Sequence, residues 1–147
     1  MSLSMTETEV SSDTEVLIVV EKMKCLARKL GFSECDQTKI AIATSELASN
    51  ILLHAQGKGK ITAKPLTEPD KVGIMIIAED KGPGIVDVQE KLEGIETSQK
   101  GLGVGLGGAK RLMDEFEIKS KAGEGTTIIA KKWKDSGALQ KETDWCR

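Results

Sequence analysis

Apolar residues recur at Val16, Val19, Val20, Met23, Ala27 and Leu30, mostly at three- and four-residue steps. That spacing lines one stripe of a helix. The helix is expected to start near Ser12 or Asp13 and to stop at Gly31. A second helix opens at Ser33, where Asp36 three residues on resembles a capping box. Its apolar side carries Ile40, Ala43, Leu47, Ile51 and His54, and it ends at Gly57. The polar start of the chain holds one edge strand around Thr6–Val10.

The pattern then changes period. Lys60–Pro65 reads as a strand, and Val72–Ala78 is a nearly unbroken apolar run, as suits a strand covered on at least one face. It stops at the glycine-bearing turn Glu79–Gly84. Val86–Leu92 reads as a short helix, Glu93–Gly108 as a mobile loop, and Ala109–Glu115 as a third helix. Phe116–Lys121 and Thr126–Trp133 flank the turn Ala122–Gly125 as a hairpin. The expected build is an α/β (α+β) two-layer sandwich, with about three helices covering one face of a mixed, mostly antiparallel sheet. One domain spans residues 1–134, and 135–147 form a polar tail.

Composition narrows the function classes. The 147 residues fit one domain, and a chain of that length can bury a core without staples. A formal net charge of -2 and only 3% aromatic residues argue against nucleic-acid binding, which favours basic faces and stacking platforms. Cys25, Cys35 and Cys146 lack metal-ligand spacing and read as reduced thiols of a cytoplasmic protein. No signal peptide pattern opens the chain, and Val16–Val20 is too short to span a bilayer, so no membrane association is expected.

Four segments carry candidate chemistry. The first is the run Gly101-Leu102-Gly103-Val104-Gly105-Leu106-Gly107-Gly108. Gly103, Gly105 and Gly108 satisfy GxGxxG, but the dinucleotide fingerprint must follow a strand, and Glu96–Lys100 is polar. No GxxxxGK[ST] loop occurs. What remains is a backbone able to approach polyphosphate at a helix start, or else a flexible loop without a ligand.

The second segment places Glu46, Asn50 and His54 four residues apart, on one helical stripe. Asn50 has a carbonyl oxygen to offer Mg²⁺, and Glu46 a carboxylate to accept a proton from an attacking hydroxyl. The same spacing also suits a solvated polar face. His54, the only histidine, reads as a packing or hydrogen-bonding residue.

The third is Asp80-Lys81-Gly82-Pro83-Gly84, at the end of the most apolar strand. A carboxylate there suits an exocyclic amine such as adenine N6, with glycines letting a flat ring pack on the backbone; a plain turn is the other reading. The fourth, Gly123-Glu124-Gly125-Thr126-Thr127, is either a hairpin turn alone or a hydroxyl contact to the same base.

In order along the chain, Glu-x-x-x-Asn, Asp-x-Gly-x-Gly, Gly-x-Gly-x-Gly and Gly-x-Gly-Thr resemble the boxes of the GHKL (Bergerat-fold) ATPase/kinase superfamily. The likeness runs from about Thr14 to Trp133 and is nearest to switch-protein serine/threonine kinases of the RsbT type, in the anti-sigma regulatory factor family. The resemblance implies ATP and Mg²⁺ as cofactors, with Glu46 as catalytic base, Asn50 chelating the metal and Asp80 recognising adenine. Gly82 and Gly84 line the base pocket, Gly101–Gly108 form the lid and phosphate cradle, and Thr126 supports Asp80. Lys100 or Lys110 adds charge near the phosphates. The implied substrate is a serine or threonine of a small STAS-type antagonist, in a system that also contains a phosphatase or sigma factor. Three rival readings remain: an RsbW-like anti-sigma factor, a histidine-kinase catalytic domain, and a nucleotide-dependent module without catalysis.

Overall fold

The computed structural model describes residues 4–54, 58–82, 106–121 and 123–134. Strand β1 (Thr6–Val10) turns through Ser11 and Ser12 into helix α1 (Asp13–Lys29). The Ser12 hydroxyl caps the helix by accepting from the Glu15 N–H at 3.4 Å. The Ser11 backbone N–H donates to the Glu15 carboxylate in return, and this holds that carboxyl below its ordinary range. At the other end Gly31, at φ +91°, takes the left-handed conformation that stops the helix. Helix α2 (Glu34–His54) starts where the Ser33 hydroxyl accepts from the Asp36 N–H at 3.1 Å. It is described as far as His54, and the expected stop at Gly57 lies outside the described residues.

Strands β2 (Gly59–Glu68) and β3 (Lys71–Asp80) form a long hairpin. β2 runs past Pro65, where the sequence alone placed its end. Its β1 partner reaches only to Ala63, so β2 at Pro65 is an edge on that side, where proline is tolerated, and it is carried on by its pairing with Ile74 of β3. β3 continues through Glu79 and Asp80 because both sides remain paired there, to Lys60 and Gly59 and to Thr127 and Thr126.

Helix α3 is Leu106–Leu112, not Ala109–Glu115. It admits Gly107 and Gly108, both buried, and Glu115 belongs to the next strand. Strands β4 (Glu115–Lys121) and β5 (Gly125–Trp133) close the sheet.

The sheet order is β1-β2-β3-β5-β4. All four described pairings are antiparallel, so the expected mixed character is absent among the described residues. The reason is the closing hairpin. β4 runs parallel to β3, but β5 folds back between them and pairs antiparallel with both.

The helices cover one face. Val16, Val19, Met23 and Ala27 of α1 and Ile40, Ala43, Leu47 and Ile51 of α2 meet Ile61, Ile74, Ile76, Ala78, Ile128 and Ala130 of the sheet. Each large aliphatic chain buried this way contributes about 1.5–3 kcal/mol. The predicted Val20 and Leu30 sit at the margin of this core, partly buried. One cation enters the same face: Lys132 lies 3.9 Å from Asp36 and 3.7 Å from Asp114, tying the start of α2 to the sheet.

Cys25 is a free thiol, as expected, and Cys146 lies outside the described residues. No helix among the described residues is long and apolar enough to cross a membrane. The Val86–Leu92 helix, most of the Glu93–Gly108 loop and the tail lie outside the described residues.

Candidate functional site

Asp80 is the last residue of β3 and points to the helix-covered face, in phase with Ile74, Ile76 and Ala78. Its Oδ1 accepts from the backbone N–H of Gly82 at 2.8 Å, which closes the turn leaving the strand. A carboxylate has about four acceptor positions, so this bond uses only part of its capacity.

Two glycines shape the ground around it. A Cβ on Gly125 would stand 2.2 Å from the Asp80 carbonyl oxygen and 2.8 Å from Lys81 Cα. One on Gly59 would stand 2.5 Å from the Glu79 carbonyl oxygen, 2.9 Å from Ile51 Cγ2 and 3.0 Å from Asp80 Cβ. Backbone therefore lies against backbone at the strand ends. α2 also comes close here, because Ile51 and Asp80 both border the space above the same glycine.

Glu46 and Asn50 lie on α2 in the turns before Ile51, both half-buried, while Leu47, Ala48 and Ile51 are driven into the core. α2 packs against β3 on one side and α3 on the other. The start of α3 (Leu106, Gly107, Gly108 and Ala109) is buried. Small residues there let the two helices approach closely.

Thr126, 5% exposed, is the cross-strand partner of Asp80. The next strand adds a residue that sequence reasoning missed. Ser120 pairs with Thr126, and their hydroxyl oxygens are 2.8 Å apart. A signal for it existed: alternation in β4 sets Ser120 in phase with Phe116 and Ile118, a polar side chain on the covered face.

Gly84, Gly101, Leu102, Gly103, Val104 and Gly105 lie outside the described residues, as does the side chain of His54. Among the described residues no group of three or more His, Cys, Asp or Glu side chains is set to hold a metal. An open cleft of about 730 Å³ touches Asp80, but Glu9, Lys60, Glu79 and Thr127 also line it. By strand alternation those four lie on the face away from the helices, so the cleft is not the space bounded by Glu46 and Asn50.

The match to known proteins follows this geometry. Residues 11–132 match the model of the histidine kinase-like ATPase domain. The chain belongs to that family. This histidine kinase-like ATPase domain is 52% identical over 108 residues to the serine/threonine-protein kinase RsbT of Bacillus subtilis, covering 74% of this chain and 80% of that protein. It is 34% identical over 99 residues to an anti-sigma F factor of Clostridium novyi, covering 65% of this chain and 69% of that one. The crystal structure of the RsbU and RsbW domains of a Mycobacterium tuberculosis protein superposes with a TM-score of 0.62 at 19% identity. That superposition spans 96% of this chain and 35% of the other, and it is a likeness of fold. The two-layer architecture expected from the sequence is thus the family's own.

Proposed function

We propose that this ATPase-family domain is an ATP-dependent serine/threonine protein kinase acting as a switch in a partner-switching system, with a small STAS-type protein as substrate. The observation that supports the reading is that Ile51 Cγ2 and Asp80 Cβ both stand close to where a Gly59 Cβ would be, at 2.9 and 3.0 Å, so the helix that carries Glu46 and Asn50 passes over the end of β3. The kinase relative, at 52% identity, supports the phosphotransfer part.

In this reading Asp80 accepts from the adenine amine, beside the Gly82 turn and with Thr126 on the neighbouring strand. Buried glycines at the start of α3 let backbone N–H groups approach the phosphates. Asn50 offers one carbonyl oxygen to Mg²⁺. The donor set fits that metal, because Mg²⁺ is commonly held by one or two protein oxygens, phosphates and water rather than by an all-protein cage. Bound there, it neutralises phosphate charge. Glu46, one turn away, accepts the proton of the attacking hydroxyl or orients it.

Two outcomes test the nucleotide site. Asp80→Asn is expected to weaken ATP binding about 10–100-fold, the value of a hydrogen bond to a charged group. Titration calorimetry measures it, and an unchanged Kd would remove Asp80 from the site. Asn50→Ala is expected to lose about tenfold in affinity with Mg²⁺ present and nothing in EDTA. Equal losses in both buffers would contradict metal ligation. Incubation with labelled Mg-ATP and candidate STAS proteins tests the kinase itself through transfer of label to a serine or threonine.

A second reading is favoured by the anti-sigma relative at 34% identity: the same pocket on a protein that sequesters a sigma subunit. Capture of a sigma subunit with no label transferred to any STAS protein would select it.

A further inference from the structure

Among the described residues β4 is an edge strand of the sheet. Its exposure alternates along Glu115-Phe116-Glu117-Ile118-Lys119-Ser120-Lys121. Phe116 and Ile118 pack on the helix-covered face, while the two glutamates and two lysines stand exposed on the open one.

The hydrogen bonds of β5 fix which backbone groups of β4 face outward. The Lys134 N–H donates to the Val72 carbonyl at 2.8 Å, so even-numbered residues at this end of β5 turn their backbone groups to β3. Odd-numbered ones turn to β4. There the Trp133 N–H donates to Asp114 Oδ2 at 2.7 Å, and the Lys131 carbonyl accepts from the Asp114 N–H at 2.9 Å. Glu115, Glu117 and Lys119 are the partners of Lys131, Ile129 and Thr127, so their backbone groups are directed to β5. Phe116 and Ile118 direct theirs to the outer edge.

Such an edge is a template for another strand, and charge selects which one. Acids occupy the first half of the open face of β4 and lysines the second, so the strand complements itself run backwards. With a two-fold axis at Ile118, Glu117 stands opposite Lys119 of a second copy, and Glu115 opposite its Lys121. These are non-hydrogen-bonded positions of the new seam, where opposed side chains come closest. An axis at Phe116 would instead oppose Glu115 to Glu117, and one at Ser120 would oppose Lys119 to Lys121. Like charges directly opposite are destabilising. The β1 edge lacks this property, since an axis at Thr8 would set Glu7 against Glu9.

We propose that the β4 edge is a self-association surface, pairing antiparallel with β4 of a second copy about Ile118 and joining two five-stranded sheets into one. The axis stands normal to the sheet, so both helical layers fall on one side. Glu117 and Lys119 already lie 3.7 Å apart within one chain, and in the pair of copies the four charges alternate in a single cluster. One strand edge is smaller than a standard interface, so the dimer is weak, with a Kd on the order of 10⁻⁴ M. The inference does not depend on the nucleotide site.

Sedimentation equilibrium up to about 1 mM tests it on the wild type, Glu117→Lys, Lys119→Glu and an equimolar mixture of the two variants. Both side chains are more than half exposed, at 59% and 65%, so the variants are expected to keep the wild-type Tm. The wild type is expected to dimerise. Each variant alone is expected to dimerise about tenfold or more weakly, because two attractive pairs become repulsive. The mixture is expected to regain the wild-type affinity, since every central pair again sets a lysine against a glutamate. A wild type that stays monomeric, a dimer that neither variant weakens, or a mixture no tighter than its components would overturn the proposal. So would open-ended polymers, which would mean that β4 pairs with a different edge.

Discussion

Glu46→Ala is expected to keep ATP bound within about twofold while phosphotransfer falls about 10²–10⁴-fold, the usual contribution of a positioned general base. The asymmetry follows from where Glu46 stands. It is half-buried on α2, one turn before Asn50, and the residues that seat this helix are Ala43, Leu47 and Ile51. Truncation therefore removes a carboxylate without opening the core, and alanine is the best helix former. The nucleotide contacts proposed for Asp80, Thr126 and Asn50 all remain. Initial rates of label transfer, taken beside the nucleotide Kd, separate the two quantities. Undiminished transfer would dismiss Glu46 as the base. Equal loss of binding and transfer would recast it as a binding residue. Glu46→Gln sharpens the result, since it keeps the shape and removes only the basicity.

The second large effect is structural. Gly125→Ala is expected to destabilise the domain by about 3 kcal/mol or more, lowering Tm by roughly 10 °C for a domain of this size. Two causes act together. The φ of +94° is one that L side chains rarely adopt, and the new Cβ would stand 2.2 Å from the Asp80 carbonyl oxygen. The obstacle is backbone on both counts, Asp80 and Lys81, so no side chain can swing away. Relief requires β3 and β5 to part at the residue proposed to hold adenine, and ATP affinity is expected to fall with Tm.

Gly123→Ala is the internal control. Its φ of +81° imposes similar backbone strain, but a Cβ there meets nothing within 4 Å. Strain alone costs about 1–2 kcal/mol, so the difference between the two variants measures the close approach. Identical thermal midpoints would mean that the strand ends are looser than these distances require.

The helices were legible because their information is local. The stripe Val16, Val19, Met23, Ala27 and the stripe Ile40, Ala43, Leu47, Ile51 are both buried as their spacing requires. The caps at Ser12 and Ser33 and the stop at Gly31 depend only on neighbours in the chain. Boundaries failed where a distant strand decided them. Pro65 stays in β2 because β1 ends before it, and Glu79 and Asp80 stay in β3 because β5 and β2 reach them. The start of α3 was misjudged because glycine is a poor helix former alone, and only packing against α2 rewards it there.

The site divides the same way. The residue types and order of Glu46, Asn50, Asp80, Gly82 and Thr126 were readable along the chain, since each segment shows a local chemical character and their succession resembles one family. That Asp80 and Thr126 are partners, that Gly125 must lack a side chain against Asp80, and that Ser120 stands behind Thr126 were not readable. By itself the sequence determined the helical faces, the strand-forming runs and the chemical groups on offer. The tertiary structure alone decided that β5 enters between β3 and β4, and with it which groups share a row. The physical reason is that periodicity reports which side of an element is buried, whereas strand order is settled by burial summed over the whole sheet.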